Sequence, residues 1–209
     1  DYINYIVDLS ASVEELWGRL NKNLRQKIRG SFRRGLEMRD DNTPAGVERL
    51  YKLLQASYGL ARVPLLGREL FEATLRNLPE EQVRIRTAFL GERPVASIIS
   101  LLYGDRFFSW YGGTLRLAGI SPFACLVWDD IEWGARHGYA IYDFGGAGWP
   151  HEDYGPRKFK AGFGGQEIRY GRYLLTYSKL RLRLAELAYG VSRRFGAWSC
   201  SMNEESEHG

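Results

Sequence analysis

At Pro79 the hydrophobic rhythm of the chain changes, and this change limits the fold more than any other feature. Before it, apolar residues recur at helical spacing: Val13, Leu16, Trp17, Leu20, Leu24 and Ile28 form one stripe, and Val47, Leu50, Tyr51 and Leu54 another. After it, Val83, Ile85, Thr87 and Phe89 alternate with Arg84 and Arg86, the two-residue period of a strand. Turns at Gly91 to Pro94 and at Gly104-Asp105 divide the next stretch into strands Val95 to Tyr103 and Arg106 to Tyr111, an antiparallel meander. Helices, then a meander, then helix, strand, glycine loop, strand and helix: this order predicts an α+β (α/β) chain with one mixed sheet flanked by helices.

Local signals set the boundaries. Asp1 to Leu9 alternates as a short strand. Ser12 and Glu15 form a capping box that starts a helix expected to reach Gly30 or Gly35. Leu36 to Arg39 reads as a brief strand, Pro44 opens a helix through Ser57, and Gly67 to Asn77 forms a third. Ser121 caps a helix running to His137, with Gly138 as its left-handed terminator. Ala140 to Phe144 and Ile168 to Tyr177 are the remaining strands, and Lys179 to Arg194 is a basic helix. No repeat or low-complexity linker divides the chain. A single domain over residues 1–197 is expected, followed by a flexible, polar tail over 198–209.

The 209 residues suffice to bury roughly 70% of the unfolded surface. No apolar run approaches the ~20 residues of a membrane span, since Ser97 and Ser100 interrupt the most apolar stretch. Asp1-Tyr2-Ile3-Asn4 lacks the pattern of a signal peptide. Cys125 and Cys200 have neither CxxC spacing nor a neighbouring His pair, which argues against a disulfide framework or a zinc site. A reducing, cytoplasmic setting with no metal and no resident cofactor is expected. The net charge of +4 is unevenly spread. Lys22, Arg25, Lys27, Arg29, Arg33 and Arg34 form one basic cluster, and the stretch from Arg157 to Arg194 forms another, relieved only by Glu167 and Glu186. Such clusters suit an anionic partner and equally suit solvated helix faces.

Three segments carry candidate chemistry. In Tyr142-Asp143-Phe144-Gly145-Gly146-Ala147-Gly148, Gly145 and Gly146 at a strand end would let a ligand approach the backbone and meet free N–H groups. Asp143 is expected to hydrogen-bond that loop rather than act as a base. In Gly155 to Gly165, Arg157, Lys158, Phe159 and Lys160 alternate cation and aromatic between glycines, a composition that suits a phosphate and a stacked base. The alternatives are a core aromatic on a strand or turn for Phe159 and a solvated lysine for Lys160. The third segment is the basic run Arg25 to Arg29. Trp110 and Tyr111, Glu132 and Trp133 are candidates to line a cleft or to pack the core. His151 is a minor candidate for substrate contact, and His137 at a helix C-terminus reads as structural.

These motifs carry a resemblance. The YDFGGAG loop, followed closely by G-x-x-x-F-K-x-x-F-G-G, resembles the C-terminal half of the Fem family of peptidoglycan aminoacyltransferases. The opening strand ending in Asp8-Leu9-Ser10, with the later R-x-x-I-R helix, is similar to the start of that half. The resemblance implies a GNAT-like fold, an aminoacyl-tRNA donor and an amine acceptor on a cell-wall precursor. It assigns Phe159 to stacking on the terminal adenosine and Lys160 to the oxyanion formed as the amine attacks the ester. Arg157, Lys158, Gly145, Gly146, Tyr111, Arg25 and Arg29 would contact substrate. Fem-like proteins carry two GNAT-like halves, so a missing N-terminal half is expected as a partner. A lysine facing the cleft between them would contribute little to stability.

Two other classes compete. Arg116-Leu117-Ala118-Gly119-Ile120-Ser121 resembles a degraded form of the R-x-x-G-x-G/A loop of acetyl-CoA-dependent GNAT enzymes. Under that reading Arg116 and Gly119 would bind the CoA pyrophosphate at a helix N-terminus, and acyl-CoA would be the donor. Ser121 departs from the motif, and Pro122 removes one N–H. The third class is a non-catalytic anion-binding module of the same fold.

Overall fold

The computed structural model describes residues 2–151, 154–170 and 175–195. The chain opens with β1 (Tyr2–Asp8), whose Ile3, Tyr5 and Val7 point into the core. The capping box forms as expected: Ser12 Oγ accepts from Glu15 N at 3.2 Å, and the Glu15 carboxylate accepts from Ser12 N at 2.9 Å. The helix it starts, α1 (Val13–Arg19), is short. Leu20 turns extended, and Asn21 caps a separate helix, α2 (Lys22–Arg33), accepting from Leu24 N at 2.8 Å. One helix was expected here and two are found. Leu16, Leu20, Leu24 and Ile28 are all buried, so the apolar stripe runs unbroken through a break that only the Asn21 cap marks.

After β2 (Leu36–Asp40) come α3 (Pro44–Ala61), a turn longer than its sequence suggested, and α4 (Arg68–Asn77). The meander is β3 (Val83–Leu90), β4 (Arg93–Tyr103) and β5 (Arg106–Thr114). It is followed by α5 (Pro122–Arg136), β6 (Ile141–Gly146), α6 (Gly155–Ala161), β7 (Gln166–Tyr170) and α7 (Lys179–Phe195). Gly138 terminates α5 at φ 79°. Ser121 occupies the N-cap position of α5 without a side-chain cap bond. The last strand begins two residues before Ile168 and does not include Leu175 to Tyr177, because Ser178 already accepts from Leu182 N at 3.1 Å and opens α7. The expected tail from Trp198 onward lies outside the described residues.

The strands form one seven-stranded sheet in the order β2-β3-β4-β5-β6-β1-β7. Every neighbouring pair is antiparallel except β5 and β6. The mixed, mostly antiparallel sheet flanked by helices is the expected architecture. One face carries α1, α2 and α5 over a core that includes Leu16, Ile28, Phe107, Leu126 and Tyr142. The other carries α3 and α4 over Leu50, Leu54, Phe71, Ile85 and Ile99. Two glycines let both layers close on β5. A Cβ on Gly113 would sit 2.4 Å from the backbone of Leu53 in α3, and one on Gly112 would sit 2.3 Å from the Phe123 ring in α5. Ser57 fixes the same strand end, its Oγ accepting from Thr114 N at 2.7 Å.

Candidate functional site

The parallel pair β5 and β6 is joined over a short stretch, from Arg106↔Ile141 to Phe108↔Asp143. Past Asp143 the two strands no longer pair, although β5 continues to Thr114 and β6 to Gly146. At this divergence Lys160 of α6 places its ammonium. Nζ donates to the carbonyl oxygens of Phe144 and Gly146, at 2.7 Å each. Two of three N–H bonds of a lysine are thereby directed into the strand end and one is left over. Burial pulls the Lys160 pKa down to about 8, against the raising effect of the Asp143 carboxylate.

The segment holding Lys160 is a helix rather than a strand or turn. Pro156 lies in its first turn, where a missing N–H costs nothing, and Lys158 and Lys160 lie in its last turn, where cations suit the dipole. Phe159, one position before, points to the other side. Its ring stacks on Phe123 at 5.8 Å between centroids and meets Phe163 edge-on at 5.2 Å. The half-buried Phe159 also lines a cavity of about 320 Å³ with Leu24, Lys27, Arg116, Ile120 and Phe123. Phe159 from one of the rival donor segments and Arg116, Leu117, Ile120 and Ser121 of the other therefore border one cavity.

The loop from β5 to α5 is itself tightly held. Gly119, at φ 70°, turns the chain so that Leu117 and Ile120 form a bridge, and Ile120 N reaches Leu117 O at 3.4 Å. Arg34, the residue that ends α2, donates to the Gly119 carbonyl. Ser121 N donates to Ser31 Oγ at 2.9 Å, and Ser31 in turn donates to Lys27 O at 2.8 Å. With Pro122 lacking an N–H, none of residues 120–122 offers a free backbone donor to a pyrophosphate.

Other expected contacts are already occupied. Arg25 Nη1 donates to Gly18 O at 2.6 Å and Leu20 O at 2.7 Å, closing the C-terminus of α1. Arg157 Nε donates to Ala147 O at 3.1 Å, and its guanidinium also reaches Trp149 O, so it staples the loop after β6. Arg25 and Arg157 were expected to face an anion; both are engaged by carbonyls, which outcompete solvent at loop and helix ends. Arg29 lies over the Trp17 ring at 5.3 Å. Gly145 N is taken by Asp143 Oδ1 at 2.7 Å, the loop-holding role expected of that carboxylate. The space beside Gly146 is filled by the Tyr2 ring, 2.5 Å from where a Cβ would lie. Tyr111 is on the α3 side, edge-on to Phe71 at 5.2 Å and 6.1 Å from Tyr58. His137 stacks on Trp133 at 3.8 Å, a structural contact, and the exposed His151 sits 6.5 Å from the Trp149 ring.

Lys27 lay within the candidate basic run, whereas Ser31 and Phe123 were missed by sequence reasoning; Phe123 lines the cavity and Ser31 holds Ser121 at its edge. Phe123 had one local signal, an aromatic just after a helix-opening proline. The pairing of Ser31 with Ser121 spans ninety positions and had none. The start of α2 lies against the end of α6, where Asn21 N donates to Gly162 O at 2.9 Å.

The model of the acetyltransferase (GNAT) domain matches residues 18–159, and the chain belongs to that family. It is a GNAT-family acyltransferase domain. Among solved structures it is similar to FemX, at TM-score 0.71 and 13% identity over 79% of this chain and 59% of that one. It is also similar to L-PGS from Bacillus licheniformis, at TM-score 0.56 and 15% identity over 79% and 57%. An acetyltransferase from Streptococcus agalactiae matches at TM-score 0.50 and 15% identity, over 69% of this chain and 91% of that one. The chain thus spans less than two thirds of FemX and of L-PGS. No curated protein sequence matches it.

Proposed function

We propose that this domain transfers an aminoacyl group from aminoacyl-tRNA to an amine on a cell-wall precursor or a related acceptor, in the manner of the Fem family. The observation that carries this reading is the Lys160 ammonium, fixed by Phe144 and Gly146 carbonyls where β5 and β6 part. Attack of an amine on the ester carbon forms a C–N bond and places negative charge on the carbonyl oxygen. The remaining N–H of Lys160 is the preorganised donor for that charge. Collapse expels the ribose oxygen, which leaves as the alcohol with the proton given up by the amine. Because both carbonyls hold the ammonium before substrate arrives, little reorganisation is required at the moment of reaction.

Phe159 presents a ring to the adjoining cavity, packed against Phe163 and against Phe123, which lines the same cavity, and supplies a stacking platform for the terminal base. Ile120 N and Ser121 N are engaged and Pro122 has no N–H, which removes three of the backbone donors that an acyl-CoA pyrophosphate could use at this loop. The acceptor side is completed by a further GNAT-like half, supplied as a longer chain or as a partner. The deciding experiment measures binding of aminoacyl-tRNA and of acetyl-CoA, followed by transfer with that half present. Binding and transfer from aminoacyl-tRNA, abolished in Lys160→Ala, is the expected result. Acetyl-CoA-dependent transfer lost on substitution of Arg116 and Gly119 would replace this reading, and binding of neither donor would leave a non-catalytic module.

A further inference from the structure

The helix α7 exposes an apolar stripe that the fold does not use. At about 3.6 residues per turn, Leu180, Leu184, Leu187 and Val191 fall on one face. Their exposures are 69%, 57%, 66% and 53%, values far above those of any core leucine. Arg183 flanks the stripe on one edge and Arg181 on the other, both exposed. Over the whole helix Lys179, Arg181, Arg183, Arg193 and Arg194 face a single acidic residue, Glu186. Its 17 residues span about 25 Å, and among the described residues no helix is long and apolar enough to cross a membrane.

We propose that α7 is an interfacial helix that seats this domain on an anionic phospholipid surface. The stripe enters the boundary between headgroups and acyl chains, and the flanking arginines meet lipid phosphates. The charge pattern selects this occupant over the two rivals. A second copy of α7 would bring five cations against five, with one glutamate on each side to relieve them. A nucleic acid would use the arginines and leave the leucines in water. An anionic bilayer satisfies both faces at once. This inference is independent of the acyl-transfer reading, since it requires neither Lys160 nor the cavity at Phe159.

The test is flotation of the full chain with vesicles of phosphatidylcholine alone and of phosphatidylcholine and phosphatidylglycerol in equal parts. The chain should float only with the mixed vesicles, and added salt should release it. Leu184→Ser with Leu187→Ser should weaken partitioning by roughly tenfold or more. Arg181→Gln with Arg183→Gln should weaken it by about tenfold or more on mixed vesicles, since each near-surface cation is worth about fivefold. Both double variants should keep the Tm of the parent, because the replaced side chains are exposed. The proposal is overturned by failure to float at low salt, by equal binding to neutral vesicles, or by binding that survives the serine substitutions. A dimer dissolved by the serine substitutions without lipid would assign the stripe to a second copy. Binding of tRNA that needs the arginines but not the leucines, with no vesicle binding, would assign the helix to nucleic acid. Either result also overturns it.

Discussion

Arg84 of β3 donates to the carboxylate of Asp130 of α5, and both residues are buried, at 6% and 0% exposure. Ser100 donates to the other Asp130 oxygen at 3.0 Å, and the Arg84 guanidinium lies over the Trp133 ring at 4.7 Å. The pair locks α5 onto the meander and so fixes the helix that carries Phe123. Arg84→Met should cost roughly 3–5 kcal/mol, because it strands a buried carboxylate. Burial pushes Asp130 up to about 7, against the pull of Arg84 and Ser100. A raised folded-state pKa adds stability that is complete below the unfolded value of 3.8 and is lost as pH rises through about 7. Denaturant titrations across that window should show this decline, and Asp130→Asn should flatten it.

Lys160 has a stability signature of its own. The contacts with Phe144 and Gly146 predict that Lys160 also contributes to stability, where the sequence led us to expect little contribution. Lys160→Ala should lower turnover by about 10² to 10³ and also cost roughly 1–3 kcal/mol, through two carbonyls left without their donor. Because its pKa is lowered to about 8 from 10.5, its contribution to stability is complete above 10.5 and is lost as pH falls through about 8. Activity runs the other way: the cation is lost, and transfer should decline, as pH rises through about 8. Lys160→Met should remove the stability increment between those pH values. A parent profile indistinguishable from that of the variant would refute the assignment.

Phe159→Ala should weaken donor binding by about 1–3 kcal/mol. Phe123→Ala tests the neighbouring ring, which stacks on Phe159 and lines the same cavity. It should weaken donor binding by a smaller factor in the same equilibrium titration. Equal affinities in all three proteins would remove Phe159 from the donor site.

Arg25 and Lys27 separate structure from recognition on a single helix. Arg25→Ala should lower stability by roughly 1–3 kcal/mol, because the carbonyls of Gly18 and Leu20 lose a charged donor. Lys27, which lines the cavity, should act on affinity instead. Lys27→Glu should reduce tRNA binding and lower its salt slope by about one, with Tm unchanged. Paired thermal melts and salt-dependent binding curves distinguish the two outcomes.

Limited proteolysis checks whether residues 1–197 fold as one unit. β1 lies between β6 and β7, so an N-terminal fragment that ends before β6 leaves its first strand unpaired. Trimming should be confined to the end after about Trp198. A stable fragment ending between Gly113 and Gly119 would contradict a single unit.

Much of the secondary structure was legible because each signal is local. The alternation from Val83 to Phe89, the Ser12–Glu15 box and Gly138 all formed as their residue types require. The errors arose where a local signal was weak or shared. Asn21 breaks a helix whose buried stripe continues past it, and the Gly155–Gly165 motif gave no period long enough to identify α6.

The sequence by itself determined the order of helices and strands, the mixed sheet, and which short motifs could carry chemistry, because hydrophobic period and capping act over a few residues. Tertiary structure alone decided which cations remain available. Arg25 and Arg157 turn to carbonyls, while Lys160 is drawn to the gap between β5 and β6. It also decided that Phe159, Lys27 and Arg116 share one cavity. Those outcomes depend on which unpaired backbone groups lie within reach of a side chain once the sheet has closed, and strand order sets that distance.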